Sequence, residues 1–147
     1  MNINKTGSEE WNMNLALKVT AAYFDAKGLK YDIMNDGRAI AIGTALKNKE
    51  SIRVLIVFDE AHVALRSFGY CKFPEAKKPV MYQVCSMMND NYRWVKFFVD
   101  EKDNTITLAD DAVIQPESCG EEIMELFIRM ATIADEAYPE FMKRVWA

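Results

Sequence analysis

Basic residues are too few in this chain to suggest a nucleic-acid partner. Eighteen Lys and Arg against 22 Asp and Glu leave a net charge of -4, whereas a nucleic-acid footprint needs a basic patch or stripe. Histidine is nearly missing, with His62 alone, so no paired-His metal motif can be written. Cys71, Cys85 and Cys119 are odd in number and form no C-x-x-C pair, which fits structural thiols in a reducing compartment. No apolar run approaches the about 20 residues of a membrane-spanning helix, and the opening residues MNINKTGSEEW lack the basic and apolar regions of a secretory signal. A cytoplasmic location is expected, with neither nucleic acid nor membrane as partner. The six glycines are scattered at turns. There is no G-x-G-x-x-G, P-loop or G-x-S-x-G, so nucleotide binding and serine-hydrolase chemistry have no residues to rest on.

What is present is ordinary globular composition. Half of the 147 residues are hydrophobic and 27% charged, which fits a single domain spanning residues 1–147 that buries about 70% of its unfolded surface. Leu15, Val19, Ala22, Tyr23 and Ala26 recur at helical spacing, predicting a first helix from near Ser8 to Lys27, capped by residues between Thr6 and Glu10 and stopped by Gly28. Two strands, residues 29–34 and 38–46, flank the turn-forming Asn35-Asp36-Gly37. The continuously apolar residues 52–58 predict a central strand, and residues 62–70 a fourth, giving an antiparallel meander.

The chain then crosses to a middle helix over residues 80–92. Val80, Val84, Met87 and Met88 read as one apolar side, and Met81, Tyr82 and Cys85 as a neighbouring one, which is broader than a single sheet-facing stripe. Residues 93–100 and 104–109 read as a hairpin with Val95, Phe97 and Val99 on one face and Trp94, Lys96 and Phe98 on the other. A long helix follows with Ile123, Phe127, Met130 and Ala134 on its stripe, and Pro139 is expected to restart it as a short terminal helix. The fold class is α+β: an antiparallel sheet of about six strands with three main helices, in the order α-β-β-β-β-α-β-β-α.

Chemistry is hard to place. His62 heads a strand beside an acidic turn with no nucleophile assigned to it, and Cys85 lies mid-helix among apolar neighbours. The acidic turn Asp100 to Asn104 fails as a calcium loop, because Lys102 and Thr105 stand where a ligand and a glycine are needed. No catalytic residue, cofactor or metal site is expected, and the chain reads as a non-enzyme.

Several of these features together resemble the YbjN-type domain, a family described as "putative bacterial sensory transduction regulator". They are Gly28-Leu29-Lys30-Tyr31, the Asp36-Gly37-Arg38 turn, a helix ending MMNDNY before WVKFFVD, and Asp135, Tyr138 and Pro139 in a D-x-x-Y-P pattern. The resemblance implies a type III secretion chaperone-like fold, whose members commonly work as homodimers that bind a segment of another protein. Four strands before the middle helix, where that fold has three, are a departure. The expected function is therefore a non-enzymatic, chaperone-like binding or regulatory module acting as a homodimer. Its partner or dimer contacts are expected at Met81, Tyr82, Cys85, Trp94 and Phe98. A small-ligand sensor, with an apolar pocket lined by Trp94, Phe98 and helix residues, is the alternative.

Overall fold

Short connections between apolar strands favour pairing of neighbours in sequence. In the computed structural model, which describes residues 14–147, they produce one antiparallel sheet. Its elements run α1 (Leu15–Ala26), β1 (Asp32–Met34), β2 (Ala39–Ala45), β3 (Ser51–Asp59), β4 (His62–Lys72), α2 (Lys78–Asn91), β5 (Lys96–Asp100), β6 (Thr105–Val113) and α3 (Gly120–Trp146). The strand order is β1-β2-β3-β4-β6-β5. The first four strands form the expected meander. Helix α2 then carries the chain out to the β5 edge, and β6 returns between β5 and β4.

Local chemistry sets the boundaries. Asn35, Asp36 and Gly37 all take positive φ, at 53°, 55° and 85°, a conformation that Asn, Asp and Gly adopt at the least cost. Helix α1 begins after Asn14, whose side chain accepts from the Leu17 N–H at 3.2 Å, and Gly28 at φ 70° ends it. The start expected near Ser8, with its caps, lies outside the described residues. Strand β1 is shorter than expected because residues just before it are held by α1: Leu29 N–H donates to Phe24 O, and the Tyr31 hydroxyl donates to Asp25 Oδ1 at 2.8 Å.

Period-two alternation sorts the sheet into two faces. Ile40, Ile42, Val54, Ile56, Val63, Leu65, Ile106 and Leu108 are buried in one hydrophobic core with the three described helices. The opposite face carries Leu55, Val57, Ala64, Phe68, Phe98 and Val113, and none of the six is fully buried. Strand β4 shifts register between Ser67 and Cys71, with Gly69 at φ 64°. Within that bulge Tyr70 is buried among Phe97, Tyr138 and Phe141, with ring centroids 5.5–5.9 Å apart.

Two expectations about helices are corrected. Met81, Val84, Cys85 and Met88 of α2 are all buried, so residues assigned to two neighbouring sides form one stripe at i, i+3, i+4, i+7 spacing. Pro139 lies inside α3 and does not restart it. A proline in a helix interior removes the N–H that would bond the carbonyl four residues earlier, here that of Asp135. Asn48 Nδ2 donates to that carbonyl at 3.1 Å instead. The Asp135 carboxylate accepts the Lys47 N–H at 3.1 Å and the Asn48 N–H at 2.7 Å, so the β2–β3 turn is clamped to α3. One residue earlier, the Tyr70 hydroxyl donates to Ala134 O at 2.6 Å.

One carboxylate sits inside this packing. Asp110 is buried, pairs with Leu65 in the sheet register, and its Oδ2 has no hydrogen-bond partner among the described residues. Burial raises its carboxyl above the ordinary aspartate value, with Arg129 opposing the shift. A folded-state value raised in this way means that the folded chain holds the proton more tightly than the unfolded chain does. Stability contributed at this site is therefore lost as pH rises through the raised value.

Two outcomes follow. Asp135→Ala should lower the unfolding free energy by about 1–2 kcal/mol, since it removes a charged acceptor of two backbone donors, as read in chemical denaturation. Asp110→Asn should raise the melting temperature relative to wild type more at about pH 8 than at about pH 4, where the wild-type carboxyl regains its proton. An equal effect at both would show that Asp110 does not titrate as described.

Candidate interaction surfaces

Three surfaces remain after the core is assembled. The first lies at the β1 edge of the sheet. Strand β1 pairs only Asp32, Ile33 and Met34 with Ala41, Ile40 and Ala39. The β1 side of residues 42–45 of β2 consequently has no strand partner among the described residues, and Gly43, Thr44 and Ala45 are exposed. Beside this edge runs a groove of about 670 Å³ between β2 and α3, with Leu29, Ile42, Leu46, Met124, Phe127 and Ile128 among its lining. Ile128 is half exposed, and the clamp at Asp135 closes one end of the groove.

The second is the open sheet face. Phe68 is 61% exposed, Phe98 45% and Val113 77%, and no described element packs over them. Thr107, opposite Phe98 in the register, is fully buried with no partner for its Oγ1 among the described residues. Two ion pairs lie on this face, with Arg66 Nη1 2.7 Å from Asp111 Oδ1 and Arg53 Nη2 3.4 Å from Asp32 Oδ2, while Lys96 Nζ donates to the Asn89 and Tyr92 carbonyls.

The third is Trp94, in the connection from α2 to β5. Val95 N–H donates to Arg93 O at 2.8 Å across Trp94 at φ 75°, a γ-turn with the uncommon positive φ, which is strained for a bulky residue. The Arg129 guanidinium of α3 covers its ring at 4.6 Å. The turn breaks the strand alternation before Val95, so Trp94 joins the helix side while Phe98 stays on the open face. A common pocket lined by both is therefore not formed.

The other expected contact residues separate in the same way. Met81 and Cys85 are core residues, at 0% and 4% exposure, and offer nothing to a partner in the folded chain. Tyr82 is exposed and donates its hydroxyl to Glu101 Oε1. Ile128 and the open β2 edge were not expected from sequence. The available signal was that Ile128 stands off the Ile123, Phe127, Met130 and Ala134 stripe of α3.

Reactive groups are poorly placed for chemistry. Burial pushes the Cys85 thiol up to about 12 and the Cys71 thiol up to about 11. Such groups hold almost no thiolate near neutral pH. His62 is exposed at the β3–β4 turn, paired with Asp59 in the register. Among the described residues no group of three His, Cys, Asp or Glu is placed to hold a metal ion, and no helix is long and apolar enough to cross a membrane.

Comparison with known proteins agrees with this architecture. A solved structure, "Crystal structure of YbjN, a putative transcription regulator from E. coli", superposes with a TM-score of 0.61 at 13% identity, covering 84% of this chain and 92% of that one. At that identity the likeness shows the fold alone. A search of curated proteins finds no match. The model of the family YbjN, "Putative bacterial sensory transduction regulator", matches residues 17–143, and the chain therefore belongs to the YbjN family.

Proposed function

We propose that this chain is a non-enzymatic, chaperone-like regulatory module that works as a homodimer and captures an extended segment of another protein. The observation that carries the reading is the coincidence of an unpaired strand edge at residues 42–45 with an apolar groove along it. A peptide backbone satisfies the free N–H and C=O groups of a strand edge, and its alternate side chains find the apolar lining. Such strand addition needs no catalytic group. Family membership supports a regulatory role in the same direction.

Exposed Tyr82 and Trp94 are assigned as secondary contacts flanking the main sites. Phe98 belongs to the open sheet face and to self-association. The ligand-sensor alternative moves from the unformed Trp94–Phe98 pocket to the same groove, where a small apolar molecule would compete with the peptide.

Selection of binders from a library of random peptides tests the reading. Enriched sequences should alternate apolar residues, and their amide shifts should concentrate at residues 42–45. Ile128→Glu, at an exposed lining position, should weaken their binding about tenfold or more, the scale of one apolar contact replaced by a buried charge. Failure to enrich any peptide, together with saturable thermal stabilisation by a small molecule, would favour the sensor.

A further inference from the structure

The open sheet face has a shape and a charge pattern that fit one occupant, a second copy of this chain. Register aligns its residues in rows across the strands. Val57, Ala64 and Asp111 form one row, and Leu55, Arg66, Ala109 and, at the β5 edge, Lys96 the next. Phe68 stands in the third row by alternation. Val57, Ala64, Asp111 and Val113 line a shallow depression four residues along β4 from the projecting Phe68. We propose that two copies mate face to face about a two-fold axis lying along the Leu55–Arg66–Ala109 row. This rests on the homodimer reading above and names the surface that reading requires.

The operation exchanges the rows on either side of the axis. Each Phe68 ring is carried over Ala64 and Val57 of the other copy, so one knob and one hollow serve both halves of a self-complementary contact. Each Arg66 arrives already neutralised by its own Asp111 at 2.7 Å, and the Lys96 ammonium at the β5 end of the axis row is held by its own Asn89 and Tyr92 carbonyls. The area is also adequate. Strands of 3, 7, 9, 11, 5 and 9 residues, rising about 3.3 Å per residue and lying about 4.8 Å apart, present about 700 Å², close to the about 800 Å² that each partner of a standard interface buries. Sheets stacked in this way pack about 10 Å apart, the thickness that interdigitating Phe68, Leu55 and Val57 side chains fill.

Analytical ultracentrifugation of the full chain between about 1 and about 100 µM reads the association by mass action. Wild type should form a dimer. Phe68→Asp and, independently, Val113→Asp should weaken it about tenfold or more while leaving circular dichroism unchanged, since both side chains are mostly exposed. Ala109→Cys, on the axis, should be joined to its own symmetry mate by a bis-methanethiosulfonate reagent spanning about 5 Å, because sheets about 10 Å apart hold the two Cα atoms too far apart for a direct disulfide; the three native cysteines are buried and do not compete. A wild-type dimer that both aspartate variants leave intact would overturn the face assignment and leave the homodimer reading standing. A wild-type monomer throughout the range would overturn both. A dimer that the reagent fails to cross-link through Ala109→Cys would overturn the placement of the axis.

Discussion

Two consecutive residues of α3 fasten the helical layer to the sheet. The Tyr70 hydroxyl donates to the Ala134 carbonyl, and Asp135 takes the backbone N–H groups of Lys47 and Asn48 on its carboxylate and the Asn48 amide on its carbonyl. The last of these bonds is available because Pro139 removes the intrahelical donor to that carbonyl. A helix-breaking residue thus becomes the means by which the β2–β3 turn is tied to the helix. With α3 fixed at this point, Phe141 and Tyr138 meet Tyr70 and close the aromatic core.

That placement commits the three described helices to one face of the sheet. The consequence is an unequal division of apolar surface: one face is sealed, while Phe68, Phe98 and Val113 remain outside. Exposed apolar surface of this extent on a sheet commonly marks an interaction site. The same asymmetry leaves the β2 edge uncovered, because Tyr31 and Leu29 are held to α1 and cannot lengthen β1. Edge and face lie on different sides of the molecule, so a bound segment and a second copy need not compete. A homodimer built on the face would present two edges, and two linked sites raise the effective affinity for a partner with two segments.

Much of the fold was legible because its determinants are local. Asn35-Asp36-Gly37 declares a left-handed turn, Gly28 a helix stop, and residues 52–58 a buried strand, each from residue types within a few positions of each other. The unread parts depend on distant partners. Pro139 reads as a break until Asn48 supplies the missing donor. Trp94 shares the strand's alternation with Phe98 on paper, but the γ-turn at Trp94 and the Arg129 guanidinium place it on the helix side. Met81 and Cys85 read as a second face of α2, yet both sheet and α3 pack over that helix, and the wider apolar arc becomes one buried stripe. The groove was invisible because its two walls, β2 and α3, are joined only in space.

The central claim is that the sheet face opposite the helices is the molecule's self-contact. Hydroxyl-radical footprinting as a function of concentration addresses it directly, because side chains are oxidised according to their exposure. Phe68 and Val113 should be oxidised readily at low concentration and become protected as the protein is concentrated, while the exposed Trp146 on the far end of α3 stays equally reactive. Oxidation of Phe68 and Val113 that does not change with concentration, or protection that appears at Tyr82 and Trp94 instead, would contradict the account.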